Sequence, residues 1–334
     1  MSQTRAALTS DNATGRTVAP VTRILVNPRS FRVNGKGQLD SIQRRAAATG
    51  IPVHVVAEPE DIAGVLSENA PREAQTLVVI GGDGTLQALA SALAGNSWNS
   101  PPKVLALGGG RTNFTARDLG TDRRLDQLLE RALTRPQGWR VASRPVLAIT
   151  HPHLPAPLYG FFVAAALVDH VIRDCHRYRT RHRGWLRTGH PSSAWRVAQL
   201  ALLGMVGRYH FEPPQARVDA ESLGSLQGSL RLLIATSLEH AEGWLDPYAK
   251  RGQGALRVTA VSASAHRFWG RLPRLLRGRF RDGWQPGTGY LSGRTGQLRL
   301  RGLNTFCLDG QEFELDPTEE IIVRAGPDIH FLAP

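Results

Sequence analysis

The chain has 334 residues, 41% hydrophobic and 7% aromatic, which is typical of a globular protein large enough for two cores. Cys175 and Cys307 are its only cysteines, too few for a disulfide framework or a four-thiolate zinc site, and this favours a reducing cytoplasm. The net charge of +13 favours an anionic partner, and the longest nearly apolar run, at 197–207, is too short to span a bilayer.

The first part of the chain alternates short apolar strands with helical patterns. Residues 1–20 are polar and lack the apolar core of a secretory signal, so we expect a disordered lead-in. The patterns that follow predict strands at 23–26, 51–56, 77–80 and 104–107, and helices at 39–48, 59–68 and 86–94. This alternation is typical of a doubly wound parallel sheet with helices on both faces, and we assign it to an α/β domain at 21–140.

A glycine-rich loop lies between the predicted strand 77–80 and the helix that follows it. It consists of Gly81, Gly82, Asp83, Gly84 and Thr85. Glycines let a phosphate approach the backbone without a Cβ in the way, and the helix start adds N–H groups and a positive dipole end. Asp83 can hold a metal, orient a donor or act as a base, while Thr85 can cap the helix or contact a phosphate. The loop predicts a polyphosphate site, with a plain tight turn as the alternative.

Two further polar segments follow predicted strands of the same sheet. Asn27 comes after strand 23–26, and a loop containing Gly110, Arg111 and Asn113 comes after strand 104–107. Ligands of such sheets lie outside the carboxyl ends of the strands. We therefore expect Asn27 and both glycine loops to line one crevice.

After about residue 140 the pattern changes to strands separated by turns and by few helices. We predict strands at 141–150, 159–165, 229–237, 255–261, 297–300 and 305–308, and helices at 168–178, 192–203 and 265–276. Such a pattern is typical of a mostly antiparallel sheet. We assign 141–334 to a β-rich second domain packed against the first.

Four segments in this order carry a resemblance to a known family: Val26–Ser30, Gly81–Thr85, Gly110–Gly120 and Leu308–Glu312. Over residues 22–325 the chain resembles the diacylglycerol kinase catalytic-domain family, which includes bacterial lipid kinases and sphingosine kinases. The glycine–aspartate motif alone is shared with NAD kinases and phosphofructokinases. The segments that contain Asn27 and Asn113 make the lipid-kinase branch the closer match.

The resemblance implies ATP bound between the two domains, Mg²⁺ bridging its phosphate oxygens, and a lipid hydroxyl as the acceptor. The nucleotide-site positions it implies are Asn27, Gly81, Gly82, Asp83, Gly84, Thr85, Gly110, Arg111 and Asn113. Asp83 would also take part in catalysis. A carboxylate must accept or orient the acceptor proton, and the resemblance places it in the segment with Asp309 and Glu312.

The chain departs from the family pattern at three places. Arg111 stands where Thr or Ser is usual, and it either adds a phosphate contact or blocks the pocket. Gln311 stands where the family has a carboxylate; Glu312 is one residue along and faces the other side of a regular strand, unless a bulge restores it, and Asp309 is the other candidate. Gln253-Gly254 replaces an Asp-Gly that contributes to a structural Mg²⁺ site in some bacterial relatives, which leaves Asp246 as a substitute ligand or a turn residue.

Arginines interleaved with Trp, Phe and Leu are concentrated at 173–208 and 266–284. This mixture suits an anionic membrane surface, where apolar side chains enter the interface and guanidinium groups contact phosphates. A solvated surface, or Arg-favouring codon usage, is the plainer explanation. Nucleic acid is disfavoured because no recognisable nucleic-acid module is present.

We expect an ATP-dependent kinase for diacylglycerol or a related long-chain lipid, cytoplasmic and peripheral to the membrane, with a homodimer left open. Two alternatives remain. Arg111 and Gln311 motivate a degenerate protein that binds nucleotide or lipid without turnover. The shared glycine motif motivates a soluble small-molecule kinase similar to NAD kinase, although the sequence shows no Asn-Glu pair to hold an acceptor ribose.

Overall fold

The structure, a computed structural model, describes residues 21–35, 37–67, 75–96, 98, 100–135, 138–181, 211–239 and 245–334. The predicted lead-in 1–20 and the predicted helix 192–203 lie outside the described residues. Within the described part of the chain, no helix is long and apolar enough to cross a membrane.

The first half of the fold is a parallel sheet in the order β2-β1-β3-β4 with helices on both faces. Its strands are β1 (Val21–Val26), β2 (Val53–Val55), β3 (Thr76–Gly81) and β4 (Lys103–Gly108). Its helices are α1 (Gln38–Ala47), α2 (Pro59–Ser67), α3 (Asp83–Ala94), α4 (Phe114–Asp118) and α5 (Leu125–Thr134). The predicted doubly wound arrangement is confirmed.

Alternate residues of the central strands serve two different cores. In β3, Leu77 and Val79 pack with α2 and α3, whereas Val78 and Ile80 pack on the opposite face with α1 and α5. Because both faces are covered, β3 is buried along its whole length. The glycine loop that follows it is therefore attached to a fully buried interior strand of the sheet.

The second half is built from antiparallel strand pairs, as predicted. Its strands are β5 (Arg140–Thr150), β6 (Leu158–Gly160), β7 (Phe162–Ala166), β8 (Gln215–Ala220), β9 (Gly224–Thr236), β10 (Leu256–Ser262), β11 (Tyr290–Thr295), β12 (Gln297–Arg301), β13 (Thr305–Leu308), β14 (Gln311–Glu314) and β15 (Ile321–Ala333). Its described helices are α6 (Leu167–Arg181) and α7 (Phe268–Leu276).

The last strand returns to the first half of the fold. β15 pairs with β5 in antiparallel orientation and with β4 in parallel orientation, where Phe331 lies opposite Val104. One continuous sheet therefore passes from the parallel strands into the antiparallel ones. The boundary near residue 140 stays a prediction, and the continuous sheet fixes the crevice between the two halves.

Candidate active site

The two glycine loops pack against each other at the carboxyl ends of β3 and β4. The N–H of Gly109 donates to the carbonyl of Gly81 at 2.7 Å. A Cβ placed on Gly110 would lie 2.6 Å from the Cα of Gly82. Since that neighbour is backbone, only glycine at position 110 permits this close approach.

The first turn of α3 forms one wall of the crevice. The N–H groups of Asp83 and Gly84 begin the helix and have no intrahelical acceptor, whereas that of Thr85 donates to the Gly82 carbonyl. The side-chain amide of Asn27 donates to the Thr85 hydroxyl at 3.0 Å, which joins the end of β1 to this turn. A Cβ on Gly84 would meet nothing within 4 Å. Gly84 is the exposed residue of the turn, and the N–H groups at this helix start suit phosphate oxygens.

Asp83 is buried and connects the first glycine loop to the second. Its carboxylate accepts a hydrogen bond from the Thr112 hydroxyl at 2.6 Å and a longer one from the N–H of Thr115 at 3.4 Å. Burial raises the pKa of Asp83, and these hydrogen bonds oppose the rise. The side chain thus stabilises the start of α4 as well as lying at the crevice.

Asn113 is the residue that closes the second glycine loop. It has a left-handed backbone, φ 49°, and is almost completely buried. Its side-chain oxygen accepts from the N–H of Gly110 at 2.7 Å, and its amide donates to the carbonyl of Gly110 and to Asp122 at 2.9 and 2.8 Å. Because these bonds occupy the amide, the structure places Asn113 in support of the loop.

Arg32 and Asp122 complete the support of the second loop, and the sequence analysis did not identify either. The Arg32 guanidinium donates to the carbonyl of Gly108 at 2.9 Å and to the carboxylate of Asp122 at 3.2 Å. Arg117 lies 3.8 Å from the other oxygen of that carboxylate. An acidic residue nine positions after Asn113 is too common a pattern to predict this role.

Arg111 packs against Phe31, which lies in the loop after β1. Its guanidinium carbon is 4.4 Å from the centre of the ring, a cation–π distance. The ring therefore helps to fix the position of the guanidinium at the rim of the second glycine loop.

Asp309 lies at the turn of the β13–β14 hairpin and is held by two backbone N–H groups. Its carboxylate oxygens accept from Phe161 at 2.8 Å and from Phe162 at 2.9 Å, and its own N–H donates to the Phe162 carbonyl. A Cβ on Gly160 would lie 2.5 Å from one of these oxygens. Gly160 therefore leaves room for the Asp309 carboxylate, and the two residues after it supply the N–H groups that bind it.

Asp83 and Asp309 come from the two halves of the fold and lie close enough for their charges to interact. Burial raises the pKa of Asp309 to about 8, and the negative charge of Asp83 adds to that rise against the two backbone hydrogen bonds. Next to them, the rings of Phe114 and Phe162 stack across the crevice with centroids 5.3 Å apart. Two carboxylates therefore lie at the crevice beside an apolar wall.

The raised pKa of Asp309 predicts a dependence of stability on pH. Between about pH 4 and pH 8 the folded protein keeps a proton that the unfolded chain releases, so the free energy of unfolding falls as the pH rises through this window. The raised pKa of Asp83 acts in the same direction. Urea denaturation at pH 5 and pH 9 measures the fall, and we expect a smaller one for Asp309→Asn. An equal fall in unfolding free energy for the wild type and for Asp309→Asn would contradict the raised pKa of Asp309.

Glu312 lies away from Asp309, on the side of the hairpin that faces α6. It accepts from Arg173 at 3.1 Å and lies 3.0 Å from the ring of His176. The β13–β14 pairing is regular, with Cys307 opposite Glu312 and Leu308 opposite Gln311, so no bulge turns Glu312 toward the crevice. Gln311 is exposed. The geometry favours Asp309 over Glu312 as the candidate base.

Arg173 fixes the hairpin that carries Asp309. Its guanidinium also binds Asp169, at 2.9 Å, and Asp169 is buried and accepts from Thr305 at 2.8 Å. This cluster joins α6 to β13. Asp169 was not predicted, and Arg173 was predicted only as part of the membrane-facing segment 173–208, whereas its guanidinium is bound within the protein. Their four-residue helical spacing was the available signal.

Asp246 is paired with Arg257 rather than open to a metal. The Arg257 guanidinium also lies over the ring of Tyr248, at 4.6 Å. Among the described residues no group of three or more His, Cys, Asp or Glu side chains is arranged to hold a metal ion. At the crevice the acidic oxygens are those of Asp83 and Asp309, hard ligands of the kind that Mg²⁺ takes together with phosphate oxygens.

The fold is an α/β protein with one continuous sheet and a glycine-rich loop after a buried parallel strand. Residues 22–139 match the profile of the diacylglycerol kinase catalytic domain. The resemblance predicted from the sequence is therefore confirmed for this part of the chain.

Solved structures share the fold along nearly the whole chain. A protein from Bacillus anthracis str. Sterne, provisionally assigned as a diacylglycerol kinase, has 13% identity and a TM-score of 0.65, covering 97% of this chain and 99% of its own. A diacylglycerol kinase from the same organism has 14% identity and a TM-score of 0.57, covering 94% and 97%. No curated protein sequence matches the chain significantly. The structural likeness establishes the fold of both halves, and the family match covers residues 22–139.

Proposed function

We propose that the protein is an ATP-dependent lipid kinase that phosphorylates a hydroxyl of diacylglycerol or a related long-chain lipid. The observation that carries the proposal is that Asp309, held by two N–H groups, lies within electrostatic reach of Asp83 in the first turn of α3. In the proposal Asp309 is the base, and the turn that begins at Asp83 holds the phosphates. The family match of residues 22–139 supports phosphoryl transfer as the chemistry.

In this proposal the phosphates of ATP lie on the first turn of α3, where the N–H groups of Asp83 and Gly84 donate to their oxygens. Arg111, fixed over Phe31, adds a positive charge at the rim of the crevice. Bound Mg²⁺ would neutralise phosphate charge, and Asp83, in the same turn as the phosphates, is the carboxylate that would hold it. Each oxygen of Asp309 already accepts one N–H and keeps a lone pair, with which it accepts the proton of the acceptor hydroxyl.

The aromatic pair beside Asp309 supports a lipid acceptor. Phe114 has 38% of its surface exposed although it stacks on Phe162, the residue whose N–H binds Asp309. An acyl chain on this wall would bring its hydroxyl close to the carboxylate. A ribose acceptor, as in a soluble NAD kinase-like enzyme, would make little use of such a wall.

The proposed membrane contact is electrostatic. In the segment 266–284, Phe268 and Trp284 are buried, while Arg267, Arg274 and Arg281 are exposed. Its apolar side chains belong to the protein core, so guanidinium groups rather than inserted rings would contact anionic lipids. In the segment 173–208, Arg173 is committed to Asp169 and Glu312, and residues 182–208 lie outside the described part.

The test is transfer of radiolabelled γ-phosphate from ATP with Mg²⁺ into a mixed bacterial lipid extract, with NAD as a competing acceptor. We expect a labelled lipid from the wild type and none from Asp83→Asn, because the buried carboxylate organises both glycine loops. The melting temperature of Asp83→Asn is measured in parallel, because Asp83 also stabilises the start of α4 and the variant must be shown to be folded. A labelled NAD product would instead identify the small-molecule kinase.

Gln311 separates a weak enzyme from a degenerate binder. If ATP binds by calorimetry but no acceptor is labelled, the lipid kinase proposal fails. The variant Gln311→Glu then distinguishes a weakened enzyme from a protein that only binds nucleotide. Gain of transfer would identify an enzyme weakened at this position, and continued binding without transfer would identify a protein that binds nucleotide without turnover.

A further inference from the structure

A second cleft lies in the antiparallel half of the fold, between β9, β10, α7 and the segment 281–289. Its volume is about 780 Å³. Basic side chains, hydroxyl groups and glycines make up most of its lining, among them His266, Arg271, Arg281, Ser264, Gly287 and Thr288.

The charges of this cleft are all of one sign. His266, Arg271 and Arg281 line it, and no acidic residue does. Within the described residues neither Arg271 nor Arg281 forms an ion pair with a carboxylate. Asp282 is the single acidic residue of the segment 262–289, and it is not part of the lining. The cleft is therefore positive without an internal counterion.

Arg271 is held in place by aromatic rings. Its guanidinium carbon lies 5.7 Å from the centre of Trp284 and 5.8 Å from that of Tyr290, and those two rings stack at 4.7 Å. Both rings are buried. A guanidinium fixed in this way loses little freedom when it binds an anion.

Arg231 adds positive charge beneath the cleft. It is partly buried, lies over Phe268 at 4.9 Å and donates to the carbonyl of Ala263 at 2.7 Å. Ala263 is flanked by two lining serines, Ser262 and Ser264. Burial lowers the pKa of Arg231. A nearby anion would offset that cost of burial.

The hydroxyl groups of the cleft are arranged by the protein. The Ser262 and Ser264 hydroxyl oxygens are 2.7 Å apart, and the Thr288 hydroxyl donates to the carbonyl of Gly283 at 2.7 Å. These bonds fix polar oxygens and the turn around Gly287, so the site has a defined shape as well as a charge.

This cleft is separate from the active crevice. Both adjoin β9: Thr236 lies opposite Phe162, beside Asp309, whereas Ser225, Leu226 and Gln227 line the cleft. Nine residues of extended strand correspond to roughly 30 Å. β9 passes from one sheet to the other near Gly228, so the two sites lie at its two ends.

We propose that this cleft binds a phosphate group, presented by an anionic lipid headgroup or by a soluble phosphorylated compound. Arg271 and Arg281 hold the phosphate oxygens, and His266 and the Ser264 hydroxyl contribute further hydrogen bonds. The proposal goes beyond the kinase function and does not depend on it, because binding at this end of β9 needs neither ATP nor Asp309.

The test uses the full chain and two probes. One probe is inorganic phosphate or glycerol 3-phosphate, and calorimetry measures its binding. The other is a phosphatidylcholine vesicle with or without phosphatidylglycerol, and flotation measures its binding. Whichever of the two probes the wild type binds, we expect Arg271→Gln/Arg281→Gln to weaken that binding by about tenfold or more. Gly287→Phe, which leaves the charge unchanged and whose Cβ meets nothing within 4 Å, is expected to block the cleft with a similar loss.

The matched control is Arg44→Gln/Arg135→Gln. It removes the same charge at exposed arginines of the parallel half of the fold, outside the lining and outside the segment 266–284, and is expected to change affinity by about threefold or less. Binding to vesicles alone supports a lipid headgroup, and binding of soluble phosphate supports a soluble ligand. Equal losses in both double variants, unchanged binding by Gly287→Phe, or no binding of either probe by the wild type would overturn the proposal.

Discussion

Asp309→Asn is expected to lower kcat for lipid phosphorylation by about 10²–10⁴-fold, the usual contribution of a general base. The substitution keeps the shape of the side chain but removes the proton acceptor that Phe161 and Phe162 hold at the crevice. The wild-type rate should rise with pH up to about 8, because the carboxyl of Asp309 must be ionised to accept a proton. ATP affinity, measured by calorimetry, should change little, since the proposed phosphate-binding turn is on α3.

Glu312→Gln is the matched control for this prediction. It removes a carboxylate from the same hairpin, three residues away, where Arg173 and His176 hold it against α6. We expect kcat to stay within a factor of about three, because an exposed ion pair contributes little. A loss as large as that of Asp309→Asn would make Glu312 the base and contradict the assignment. A flat rate between pH 6 and pH 9 would count against Asp309 as well.

The parallel half of the fold could be predicted from the sequence because each of its signals is local. β3 is a continuous apolar run followed at once by glycines, and Leu77–Ile80 pack on both faces as such a run requires. The choice between Asp309 and Glu312 could not be made in the same way. It depends on Phe161 and Phe162, which are about 150 positions away in the chain and bind only one of the two carboxylates.

β15 shows why the antiparallel half was harder to predict. Its sequence contains Gly326-Pro327, a pair that normally interrupts a strand. In the structure the pairing of β15 with β5 shifts register between Ala325 and Asp328, so a bulge contains the proline and the strand continues. A Gly-Pro pair fits either a bulge or the end of a strand, and only the pairing with the partner strand decides between them. The strand that joins the two halves was therefore missed.

Gly110→Ala is expected to destabilise the protein by about 1–3 kcal/mol, the usual cost of forcing an extra methyl group into a packed site. The added Cβ would lie 2.6 Å from the Cα of Gly82 and 2.9 Å from the side-chain oxygen of Asn113, so the two glycine loops must separate. Urea denaturation measures the loss of unfolding free energy. ATP binding should be lost with it, because the proposed phosphate-binding turn begins at Gly82.

Gly84→Ala is expected to lower ATP affinity without lowering the stability of the protein. Its Cβ would meet nothing within 4 Å, and the residue lies in the first turn of α3, so the free energy of unfolding should stay within about 0.5 kcal/mol of the wild type. The methyl group would nevertheless occupy the open surface proposed for the phosphates, and ATP affinity should fall by about tenfold or more, or 1.4 kcal/mol. A stable Gly84→Ala protein that binds ATP as tightly as the wild type would show that the phosphates lie elsewhere. Since Gly110→Ala disturbs the loops themselves, only the exposed position at Gly84 tests the contact with the nucleotide directly.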